Sequence, residues 1–131
     1  MENAVISRQG RHNEHLRCER LPDIDEFNVI ACHGDLVYET LKPIKELVDI
    51  ILADRNGHIR YLILDLSDLE SLQTDGTMDL ILAQNTYRKH GGDIALVITK
   101  ASIRKPIEIL GFDKIFTICT SVEEAIKLLR K

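Results

Sequence analysis

The chain has 131 residues, a length that favours one domain with enough apolar chain to build a core. Apolar residues make up 44% and charged residues 29%, the balance of a globular chain and not of a disordered one. A net charge of −4, three Phe, three Tyr and no Trp argue against direct nucleic-acid binding, which needs a basic footprint or stacking platforms.

No stretch approaches the run of apolar residues that would insert into a membrane, and Met1 to Arg20 lack a signal-peptide core. A cytoplasmic protein is the expectation. Three widely spaced cysteines, Cys18, Cys32 and Cys119, fit reduced thiols there.

Residues 1–13 are polar and read as a flexible arm, with one domain expected over 14–131. A short edge strand is expected over 14–20. Phe27 to Cys32 reads as a strand ended by a turn at His33-Gly34-Asp35. Leu41, Ile44, Leu47, Val48, Ile51 and Leu52 follow at helical spacing, with Thr40 as a cap, Pro43 in the first turn and Asn56-Gly57 as the stop.

Tyr61 to Leu64 is a continuous apolar run and predicts a buried strand ending at Asp65. A polar loop then leads to a helix from about Asp75 to His90, stopped by Gly91-Gly92. Ile94 to Ile98 predicts a further buried strand, Ala101 to Leu110 a short helix weakened by Pro106, and Ile115 to Ile118 a last strand. Ser121-Val122-Glu123-Glu124 is a capping box that opens a final amphipathic helix. Strands alternating with amphipathic helices predict an α/β fold, with a sheet of four or five strands, mostly parallel, and about four helices.

No phosphate loop, dinucleotide fingerprint, nucleophile elbow or zincin motif is present, so the reading is non-enzymatic and without a cofactor. His12, His15 and Cys18, with Cys32-His33 further on, are metal-ligand types, but their spacing matches no zinc module. Asp65, Thr99 and Lys100 sit where a phospho-receiver keeps its reactive groups. A receiver also needs an acidic pair at the first strand end, and the turn here offers only Asp35. Asp65 is better read as a turn former.

The informative segment runs from Asp65 to Thr77. Thr74 or Asp75 can cap the helix that follows, and a helix start presents free N–H groups and positive potential to an anion. At this loop the chain resembles the STAS domain, the fold of bacterial anti-sigma-factor antagonists. The resemblance spans about residues 14–130. It rests on Ile30-Ala31-Cys32-His33-Gly34-Asp35-Leu36, Tyr61 to Ser67, Gly91 to Val97, Ile109 to Phe116, and Ser121 to Ile126, in that order.

The resemblance implies a non-enzymatic regulator of transcription that binds a partner protein. In the family a motif like Asp-Ser-Ser-Gly or Asp-Ser-Thr-Gly opens the second helix. Its second hydroxyl is phosphorylated by the anti-sigma factor, a histidine-kinase-like ATPase, and phosphorylation breaks the complex. The aligned residues here are Gln73-Thr74-Asp75-Gly76, so Asp75 stands at the phospho-acceptor position. Asp75 carries one charge and two acceptor oxygens, against about −1.5 to −2 and three oxygens for a phosphoserine.

Two readings follow: Asp75 mimics the phosphorylated state, or it marks a binder that is never switched off. Thr74 is an alternative acceptor. The expected partner face comprises Asp68, Glu70, Gln73, Thr74, Asp75, Gly76, Thr77 and Asp79, an acidic surface suited to a basic patch on an anti-sigma factor or another signalling protein. The alternative is an accessory subunit of a transporter or signalling scaffold. A homodimer is compatible with either.

Overall fold

The computed structural model describes residues 4–9, 15–36, 42–53, 61–73 and 78–130. One sheet organises them. It contains β1 (Ala4–Gln9), β2 (His15–Ile24), β3 (Phe27–Leu36), β4 (Tyr61–Leu72), β5 (Asp93–Val97) and β6 (Thr117–Cys119), hydrogen-bonded in that order. β1 to β3 run antiparallel, and β3 to β6 are parallel to one another. The parallel half needs a crossover between each pair of strands. α1 (Lys42–Ala53), α2 (Met78–Lys89) and α3 (Ala101–Ile109) supply them, and α4 (Val122–Leu129) follows β6.

The helices divide unequally between the two faces. Ile44, Leu47, Val48 and Ile51 of α1, Leu80 and Tyr87 of α2, and Ile103 and Ile107 of α3 share one core with Cys18, Ile30, Cys32, Leu62, Leu64 and Leu96. On the other face Ala125 and Leu129 of α4 pack with Phe27, Val29, Ile63, Ala95 and Val97. Strands buried on both faces become continuous apolar runs, which is why Tyr61 to Leu64 and Ile94 to Ile98 are so plain in the sequence.

The fold class, the mostly parallel sheet and the four helices are as expected, but the strands differ from the sequence reading in three ways. Ala4–Gln9, expected within a flexible arm, pairs antiparallel with His15–Arg20 and makes a sixth strand. Pairing through the backbone leaves little pattern to read. β2 is consequently interior and longer than the edge strand expected over 14–20. The third difference bears on the site: β3 does not stop at His33, and β4 does not stop at Asp65. Both run on together, as Leu36 opposite Leu72.

Two register shifts hide that extension. Between the pairs Ala31↔Asp65 and His33↔Asp68, β4 advances one residue more than β3. It does so again between Gly34↔Leu69 and Asp35↔Ser71. Each is a bulge with the extra residue on β4. The core-facing residues thus fall at Leu66, Leu69 and Leu72, a spacing of three that does not look like a strand. Gly34 sits at the second bulge with φ +106°, a conformation that favours a residue without Cβ.

The caps of α1 expected at Thr40 and Asn56-Gly57 lie outside the described residues. The cap forms with one difference from the expected box: Ser121 Oγ accepts the Glu124 amide at 3.0 Å, while Glu124 Oε1 accepts from the amide of Thr120, the residue before the cap, at 2.7 Å. The Thr120 hydroxyl donates to the same oxygen at 3.1 Å, and the two bonds from Thr120, backbone first, hold the Glu124 carboxyl below its ordinary range.

Candidate partner-binding site

In a parallel sheet the open end lies beyond the carboxyl ends of the strands, where ligands and partners of α/β folds commonly bind. Here the β3–β4 extension carries the chain to that end, and two cross-strand polar pairs hold it together. His33 Nδ1 lies 2.8 Å from Asp68 Oδ2, and Ser71 Oγ donates to Asp35 Oδ1 at 2.6 Å. The Gln73 amide then donates to the Leu36 carbonyl at 3.0 Å, tying the last residue before the Thr74–Thr77 segment. From the α3 side, Lys100 Nζ donates to the Leu69 carbonyl at 2.8 Å.

Asp68, Glu70, Ser71 and Gln73 are exposed. Asp68 and Glu70 give this end of β4 an acidic surface, and Lys100, directed at a backbone carbonyl, leaves their charge in place. His33 Nε2 is buried without a hydrogen-bond partner among the described residues.

Of the residues expected at the partner face, Asp68, Glu70 and Gln73 are thus brought together on the β4 extension. Thr74, Asp75, Gly76 and Thr77 lie outside the described residues, as does the side chain of Asp79. His33, Asp35 and Ser71 were missed as contributors. Their signal was the turn reading of His33-Gly34-Asp35, which the bulged strand replaces.

The remaining candidates sort differently. Asp65 Oδ1 accepts from the Ser67 amide at 3.0 Å and from Ser67 Oγ at 2.6 Å, the local bonds of a turn former. Lys100 is occupied at Leu69. Cys18 and Cys32 meet within the three-helix core, while His12 lies outside the described residues. Among the described residues, no three His, Cys, Asp or Glu side chains cluster as a metal ion would require.

Comparison with known proteins agrees with this architecture. The STAS domain family matches residues 19–125, and the chain belongs to that family. No curated protein matches the chain significantly. Among solved structures, an anti-sigma factor antagonist from Mycobacterium paratuberculosis is similar over 99% of this chain and 96% of its own, with 21% identity and a TM-score of 0.72. A protein assigned as an anti-sigma factor antagonist from Thermotoga maritima is similar over 84% and 92%, with 22% identity and a TM-score of 0.73. A murine solute carrier family 26 anion transporter is similar over 80% of this chain but only 18% of its own, with 19% identity and a TM-score of 0.63. Among the described residues, no helix is long and apolar enough to cross a membrane.

Proposed function

We propose that this chain is a non-enzymatic, cytoplasmic regulator that works by binding another protein, and that its partner is an anti-sigma factor of the histidine-kinase-like ATPase type. The contact face is the β4 extension from Asp68 to Gln73 with the Thr74–Thr77 segment and α2. The observation that carries this reading is the acidic open end of β3–β4, held by the His33–Asp68 and Asp35–Ser71 pairs, in a chain whose family includes anti-sigma-factor antagonists. A rigid approach to Thr74–Thr77 suits a surface read by another protein.

Asp75, at the position of the family's phospho-acceptor, makes the negative charge of that face permanent. A single charge either weakens the complex as a phosphate would, or is tolerated and leaves the chain a binder without an off state. Residues 14–131, with β1 added to their sheet, form the binding domain in this reading. A second reading, an accessory subunit of a transporter or scaffold, is favoured by the likeness to the transporter domain.

The test is a parallel capture from native-host lysate, with wild type and Asp75→Ser as baits, read by mass spectrometry. An ATPase of the expected class on either bait supports the proposal. Enrichment on Asp75→Ser identifies Asp75 as a phosphate mimic, and equal capture identifies an unswitched binder. Transport subunits on both baits, without the ATPase, contradict the first reading and favour the second. Phosphate found on Thr74 in protein purified from the host would move the switch to that residue.

A further inference from the structure

β2 and β3 place Cys18 directly opposite Cys32 in antiparallel register. Both side chains are fully buried, and their sulfurs lie 3.7 Å apart with a thiol hydrogen bond between them. Directly opposed residues of an antiparallel pair have Cα atoms about 4.5 to 5.5 Å apart, inside the window of about 4.4 to 6.8 Å that a disulfide spans. By that criterion side-chain rotation closes the remaining sulfur–sulfur gap.

We propose that Cys18 and Cys32 are a redox pair that a hydroperoxide converts to a disulfide, latching β2 to β3. The chemistry balances with hydrogen peroxide as the oxidant. One cysteine loses its proton, and its sulfur attacks a peroxide oxygen. The O–O bond breaks, hydroxide leaves and a sulfenic acid forms. The second sulfur then attacks the sulfenic sulfur, the S–O bond breaks, and the departing oxygen leaves as water. Two thiols and one peroxide become one disulfide and two waters.

Burial sets the rate of this reaction and not its direction. The hydrogen bond shared with Cys18 first, and then desolvation, push the Cys32 thiol well above its ordinary value, so the reactive thiolate is scarce. The dithiol and the disulfide are both neutral, and burial penalises neither. The pair therefore oxidises slowly, when β2 opens from β3 enough to admit peroxide. Cys119 lies in the other core, its sulfur donating to the Leu96 carbonyl at 3.4 Å and its pKa pushed up to about 11 by burial. It has no thiol neighbour of this kind and serves as an internal control.

The latch bears on the candidate site through the strand. The next residue pair beyond Cys18↔Cys32 is Arg17↔His33, and His33 holds Asp68. The disulfide itself stands whether or not the proposed partner is correct.

The experiment exposes the folded chain to hydrogen peroxide, then denatures it, alkylates free thiols and weighs the intact protein. Three alkylatable thiols fall to one. Peptide mapping assigns the link to Cys18–Cys32, a reductant restores all three, and the thermal midpoint rises in the oxidised form. The reaction runs about tenfold or more slower than that of an exposed thiol. Cys119→Ser goes from two thiols to none, whereas Cys18→Ser forms no intramolecular link. Three thiols remaining after an exposed control thiol is fully oxidised, a link that involves Cys119, or a link formed only in denaturant would each overturn the proposal. So would a fall in the thermal midpoint.

Discussion

Gln84 is the polar residue on which the β5–β6 side of the core depends. It is fully buried, with Nε2 donating to Asp93 Oδ1 at 2.7 Å and to the Ile115 carbonyl at 2.8 Å, and Oε1 accepting the Ile94 amide at 3.0 Å. One side chain thereby joins α2, β5 and the segment before β6. Gln84→Leu keeps much of the volume but removes three hydrogen bonds; the Ile94 amide keeps Asp93 Oδ1 and the Ile115 carbonyl keeps Arg88, so a loss of about 1 to 3 kcal/mol is expected in urea unfolding. Glu124 makes a pH-dependent contribution. Because its folded pKa lies below its unfolded one, the contribution is fully present above the ordinary glutamate range and is lost as pH falls through the lowered value. The stability gap between wild type and Glu124→Gln accordingly closes on acidification, and a gap that persists at low pH would contradict that origin. The role of Gln84 was not visible in the chain as written, where it looks like a surface helix residue, while Glu124 was legible because a capping box is local.

At the level of elements, the legible parts were those whose pattern is local or whose burial is two-sided. β5, α3 and α4 lie within a residue or two of their expected positions, Pro106 included inside α3. The β3–β4 extension was not legible, because its two bulges break the alternation and Asp65, Ser67 and Asp68 make it look like a loop. The site suffered accordingly. Asp68 and Glu70 were recognised as acidic surface, but the strand that positions them and the His33 and Ser71 bonds that brace it depend on register, which sequence spacing does not carry. Two element-scale predictions follow from the helix ends. Ser121→Ala removes the α4 cap and is expected to cost about 1 kcal/mol. Gly91, at φ +82° with open space where a Cβ would stand, closes α2; Gly91→Ala should cost about 1 kcal/mol through conformation alone. Differential scanning calorimetry reads both, and an unchanged midpoint in either variant would refute the corresponding account.

The described residues form a sheet with three helices on one side and one on the other, and its open end presents an acidic surface. Such a molecule can act without moving, by offering a braced face to a complementary partner. Charge at that face governs encounter and selection more than the depth of binding, so association should slow as salt rises. The central claim is that this face, and no other, makes the functional contact. The measurement that reaches it most directly is the association rate of the proposed ATPase partner with wild type and with the double variant Glu70→Lys, Asp79→Lys, across a salt series. The account predicts that the double variant associates about tenfold or more slowly at low salt and loses the salt dependence of the wild type. Equal rates and equal salt slopes, with both proteins folded, would contradict it.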